Sequence, residues 1–148
     1  MSFWQAKTKI DAADRLFSKF VRERDGQRCR NCGVDGRLTQ LECSHFFGRR
    51  MESVRFDQEN ADTFCRTCHQ IYETQKGTVR VKHGDAIIEK PMPYRAWKIA
   101  QLGAQRFSAL EVRAHAHVKK DRKLSLLYVK ALMNDLRKIP GNLILGSK

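Results

Sequence analysis

The amino-acid sequence predicts an α+β domain, and three observations carry that expectation. Apolar residues recur at helical spacing near the amino terminus. A glycine-rich stretch with a short alternating segment lies between two matched cysteine pairs, and a long, basic second half has helical periodicity. A chain of 148 residues has room for one core, or a small domain with a helical appendage, and not for two independent enzymes.

Residues 11–24 place Leu16, Phe17, Phe20 and Val21 at helical spacing among charges, with Asp25-Gly26 as a stop. One amphipathic helix is expected there. From Cys29 to Cys43 the chain turns on Gly, Asn and Asp, and residues 38–46 alternate as a hairpin strand does. Residues 57–76 lose that alternation and run toward Gly77, which predicts a helix starting near the second cysteine pair. Residues 78–89 fit either a short exposed strand pair or a turn. After Pro91 and Pro93, the spacing of Trp97, Phe107, Leu110, Leu124, Val129 and Leu136 predicts two or three helices, and the Pro-Gly break near the end predicts a poorly ordered tail.

Charge narrows the function classes. Lys and Arg total 29 against 16 Asp and Glu, a net +13 that would attract a polyanion. The surplus is uneven: residues 1–89 carry 16 basic and 13 acidic side chains, whereas residues 90–148 carry 13 and 3. The second half is therefore the expected grip on nucleic acid. No apolar run is long enough to cross a bilayer and no apolar leader follows the first residues, so the expected location is cytoplasmic, with no membrane partner.

Five cysteines without a secretion signal argue against a disulfide framework. Cys29-Arg30-Asn31-Cys32 and Cys65-Arg66-Thr67-Cys68 are CxxC pairs separated by 32 residues. Four thiolates can close a tetrahedral shell around one Zn²⁺, with no open position, so this ion is expected to be structural. Gly33 supplies the φ freedom a knuckle needs. The fifth, Cys43, reads as a small buried hydrophobe.

Between and after the pairs stand Glu42-Cys43-Ser44-His45-Phe46-Phe47-Gly48-Arg49-Arg50, then Arg55-Phe56-Asp57, then Asn60, and His69 directly after the fourth cysteine. With the two knuckles, this order resembles the HNH family, the treble-clef form of the ββα-metal (His-Me finger) nucleases. The resemblance covers residues 22–75, and its closest flavour is that of phage HNH proteins of the NinG (Rap) recombination-nuclease type.

The resemblance implies a zinc-stabilised ββα-metal core over 25–77, an amino-terminal helix over 1–24 and a basic, mostly helical extension over 78–148. It implies a metal-dependent DNA endonuclease, with His45 as general base and Asn60 as a residue that orients it. His69 becomes a ligand for a single divalent ion, Mg²⁺ or Mn²⁺. The residue before the base is commonly Asp or His and the ion's other ligand. Here it is Ser44, whose neutral hydroxyl is a weak ligand. Glu42, Cys43, Asp57 or substrate oxygens are the alternatives.

Arg49, Arg50 and Arg55 follow the base and are expected to contact phosphate, because guanidinium binds it in a bidentate manner. Lys119, Lys120, Arg122 and Lys123 form a run expected to track a DNA backbone. No Trp or Tyr alternates with the basic residues as in a single-strand stacking platform, so duplex or branched DNA is favoured. His83, His115 and His117 lack partners at metal spacing and read as surface residues. One hairpin cuts one strand, which leaves a homodimer open. The competing readings are a non-catalytic zinc-dependent DNA-binding or packaging/recombination accessory protein and, further off, a redox-sensing thiol protein.

Overall fold

A computed structural model describes residues 8–74, 79–83, 86–90 and 93–140, with side chains for 8–73 and 93–140. The first helix, α1 (Ala12–Arg24), is the amphipathic helix expected over 11–24, and its start carries a cap that the periodicity does not single out. The Asp11 carboxylate accepts from the Asp14 N–H at 3.0 Å and that of Asp14 accepts from the Asp11 N–H at 2.9 Å, a reciprocal capping box. Gly26 and Gln27, both at positive φ, end the run.

The first strand, β1 (Leu41–His45), pairs antiparallel with β2 (Ala61–Cys65), with Leu41 opposite Cys65 and His45 opposite Ala61. Fifteen residues, 46–60, join them through two short 3-10 turns, Glu52–Val54 and Gln58–Asn60. The second strand runs straight into α2 (Arg66–Thr74). The expected helix near the second cysteine pair is present. The loss of alternation before it marks a strand, because all five residues of β2 are buried and a strand covered on both faces has no polar side to show.

Strands β3 (Val79–His83) and β4 (Ala86–Lys90) form a second antiparallel pair, the strand option of the two expected there. Three helices follow: α3 (Tyr94–Leu102), α4 (Ala104–Ala114) and α5 (Arg122–Lys138). Gly103, at φ +81°, makes the sharp break between α3 and α4. The expected poorly ordered tail, 141–148, lies outside the described residues.

The helices cover the β1–β2 ribbon on its two faces. On one, α1 and α5 bury Phe17, Phe20, Val21, Val129 and Met133 against Cys43, Phe56 and Ala61. On the other, Phe64 meets Tyr72 of α2 and Tyr94 and Trp97 of α3, next to the four cysteines. A smaller cluster joins Val54 to Leu110 and Ala114 of α4. The last helix thus closes the first helix's core. Burial of Lys98 against Asp62 clips α3 to β2. The architecture is α+β, as the sequence predicts, around a small two-stranded sheet.

Candidate metal centre and histidine site

Both cysteine pairs are brought to one point. In the first, the Gly33 N–H donates to the Cys29 carbonyl at 2.9 Å and the Cys29 N–H to the Val34 carbonyl at 3.0 Å, folding a knuckle in which Gly33 sits at φ +74°. The second spans the end of β2 and the first turn of α2, which puts Cys65 and Cys68 one helical turn apart. All four Sγ atoms lie within 4.8 Å of one another, and Cys32 and Cys65 are 3.7 Å apart. A tetrahedron with Zn–S bonds of about 2.3 Å has edges of about 3.8 Å, so four thiolates so placed can hold a structural ion such as zinc.

The thiol electrostatics agree. Hydrogen bonds from Cys32 and Cys68 hold Cys29 down to about 2, while the bond to Cys29 pushes Cys32 up to about 11 and bonds to Cys29 and Cys32 push Cys68 far above the thiol range. Without a cation the cluster keeps its remaining protons; a divalent ion takes their place.

Two residues that the spacing argument passes over complete this centre. The Asn31 amide donates to the Cys68 Sγ at 3.2 Å, and the Tyr72 hydroxyl donates to the Asn31 carbonyl oxygen at 2.9 Å. The signal for Asn31 was its place inside the first CxxC turn. Tyr72 lies four residues after Cys68, on the same face of α2.

His45 ends β1 with its ring 5.9 Å from that of Phe17, on the α1 face. Its Nε2 lies 3.0 Å from the Arg55 carbonyl. A carbonyl only accepts, so Nε2 carries the proton and Nδ1 keeps the bare lone pair. That Nδ1 is buried without a hydrogen-bond partner among the described residues, as is Nε of Arg49. Burial, then the charge of Arg49, pulls the imidazole pKa from 6.5 to about 4, which leaves the ring neutral at pH 7.

Asn60 is fully buried and its amide is fully used. Its oxygen accepts from the Phe47 N–H at 2.8 Å, and its nitrogen donates to the carbonyls of Phe47 at 2.9 Å and Val54 at 3.0 Å. One side chain thereby fastens both ends of the 47–54 loop beside His45.

The remaining predicted ligands do not gather around that imidazole. Ser44 is buried, and its hydroxyl lies 3.0 Å from that of Tyr94, so its expected role as an ion ligand is corrected: its oxygen is engaged in the core. His69 stands on the first turn of α2 with Nδ1 2.6 Å from Glu42 Oε2. Glu42 and His45 are three residues apart on one strand, so their side chains leave opposite faces. The base and the His69 pair therefore do not share a face of the ribbon.

The arginines divide as well. Arg55 is fully buried, with Nε 2.8 Å from Asp14, Nη1 3.1 Å from Glu52 and Nη2 2.8 Å from the Lys9 carbonyl. Its expected phosphate contact is corrected: the guanidinium is consumed inside the protein. Arg49 is half-buried, 3.8 Å from Asp14, and Arg50 is exposed. Arg122 is drawn to Glu52 at 2.6 Å and Asp11 at 3.6 Å, whereas Lys119, Lys120 and Lys123 are exposed. Cys43 is buried and burial raises its thiol up to about 12, in keeping with a core role. His115 and His117 are exposed; the side chain of His83 lies outside the described residues.

No family profile, curated protein or solved structure matches the chain. Among the described residues no helix is long and apolar enough to cross a membrane.

Proposed function

We propose that the chain is an HNH-type, metal-dependent DNA endonuclease. The observation that carries this reading is His45: a neutral imidazole at a strand end, its tautomer fixed by the Arg55 carbonyl, its loop fastened by Asn60, and its lone pair unpartnered.

In this reading His45 Nδ1 removes a proton from the water that attacks the scissile phosphate. Arg49, whose Nε also lacks a hydrogen-bond partner, meets the phosphate. Asn60 keeps the loop, and so the imidazole, in place without touching substrate. Glu42 and His69 are the adjacent donors for Mg²⁺ or Mn²⁺, which supplies neutralisation of the charge that develops on the phosphate. His45 and the Glu42–His69 pair leave opposite faces of the ribbon, so this reading requires one phosphate at the strand end to reach both. Hydrolysis would leave 5′-phosphate and 3′-hydroxyl ends, as the resemblance implies. The biological substrate in this reading is duplex DNA or a branched recombination intermediate in a phage setting.

A specific observation favours a second reading, a non-catalytic zinc-dependent DNA-binding or recombination accessory protein. Ser44 is locked onto Tyr94, the carboxylate opposite it, Asp62, is spent on Lys98, and Glu42 sits two residues, about 7 Å, farther from the base along the strand. Supercoiled plasmid incubated with Mg²⁺ or Mn²⁺ separates the two. The nuclease nicks it, and His45→Ala abolishes nicking. Retarded but intact plasmid supports the second reading, and nicking that survives His45→Ala removes His45 from the role of base.

A further inference from the structure

Behind the turn that carries the Arg55 carbonyl lies an open groove of about 770 Å³, between residues 53–59 and the start of α5. It is remote from the cysteine centre and uses the far side of the 46–60 loop, away from the His45 imidazole. Phe56, Leu124 and Tyr128 give it apolar walls, and Lys119 and Lys120 stand on it. The chemistry of the groove is uneven in an informative way. Two of its carboxylates are already neutralised, since Asp57 and Glu59 each lie 2.7 Å from Arg113 and Glu59 also meets Arg106, while the third, Asp121, caps α5 by accepting from the Lys123 and Leu124 N–H groups. Among the described residues, Lys119 and Lys120 have no ion-pair partner. Tyr128 is 47% exposed, with its ring available to a flat partner.

We propose that this groove takes one unpaired nucleotide of a DNA strand, with the base against Tyr128 and Leu124 and the flanking phosphates on Lys119 and Lys120. The inference deepens the DNA-binding reading above and rests on it. Two requirements of single-strand recognition meet here: an aromatic face for stacking, which is indifferent to base identity, and cations beside it that are not spent internally. A duplex keeps its bases stacked and offers only phosphates, so it would use the lysines and not the tyrosine. The groove volume suits one nucleotide, within the range usual for small-ligand sites. In sequence the aromatic and the lysine pair are eight residues apart, which hides the platform. The turn into α5 brings them together.

The test is fluorescence anisotropy of the full chain, with zinc and without Mg²⁺ or Mn²⁺, on a labelled oligothymidylate and on a duplex of equal length. For the single strand, Tyr128→Ala should weaken binding by about five- to a hundredfold and Tyr128→Phe should restore it. The same substitution should leave the duplex affinity unchanged. Lys119→Ala with Lys120→Ala should flatten the single-strand salt dependence by about 1.4 in log–log slope, two phosphates' worth. Equal loss on both DNAs, or none on the single strand, overturns the proposal. Binding to duplex alone overturns it while the DNA-binding reading stands, and binding to neither removes both.

Discussion

At the scale of single residues, protonation and hydrogen bonding decide what each histidine and thiolate can do. The folded pKa of His45, about 4, lies below its unfolded value of 6.5. The unfolded chain therefore binds the extra proton first, and this residue's contribution to stability is present above pH 6.5 and is lost as pH falls toward 4. If the chain is the nuclease proposed above, the same shift predicts that nicking keeps its rate down to about pH 5 and declines only near pH 4, measured as a pH profile of initial rate; an acid limb near 6.5 would place the imidazole in water instead. Asn31 would act on an ion held by the four cysteines through its hydrogen bond to Cys68. Asn31→Ala should weaken zinc retention about tenfold or more, followed as release of the ion to a chromogenic chelator, with Tyr72→Phe intermediate.

Among elements, the decisive joint is that between α1 and the 46–60 loop. Arg55 reaches from the loop to Asp14 of α1, fully buried, with Glu52 and the Lys9 carbonyl completing its bonds. Truncating one partner of such a pair strands a buried charge. Arg55→Ala should therefore cost about 3–5 kcal/mol, read as a lower urea midpoint with an unchanged slope. The same joint holds the carbonyl that fixes His45, so a loosened loop should also lose nicking. Asp14 is pulled two ways: burial raises its pKa, but hydrogen bonds from Arg55 and Asp11 prevail and hold it below the ordinary carboxylate range. Its stabilising share is present above the unfolded value of about 3.9 and lost as pH falls below it.

For the whole molecule, two small cores on opposite faces of one short ribbon would leave much to an ion held by the four cysteines. The four cysteines tie the 29–34 knuckle to the end of β2 and the start of α2, where no long strand or helix pairing would otherwise hold them. Stripping zinc should therefore lower the thermal midpoint and loosen the β1–β2 ribbon, seen as lost amide protection over 41–45 and 61–65. The α1–α5 core should keep more of its protection, because it is built from Phe17, Val21, Val129 and Met133 and touches no ligand.

The sequence by itself determined the α+β class, the first helix and the four-cysteine centre, while the residue that fastens the loop came from the resemblance. The first three rest on short-range rules: a 3.6-residue period, alternation in a strand, and two sulfurs three positions apart. Only the tertiary structure decided that β2 is a strand, that Arg55 is spent on Asp14, that Ser44 faces Tyr94, and that His69 finds Glu42 across the ribbon from His45. The reason is physical: a strand's side chains alternate, so one register sends neighbours to opposite faces, and whether a charge is free depends on helices that arrive from distant parts of the chain.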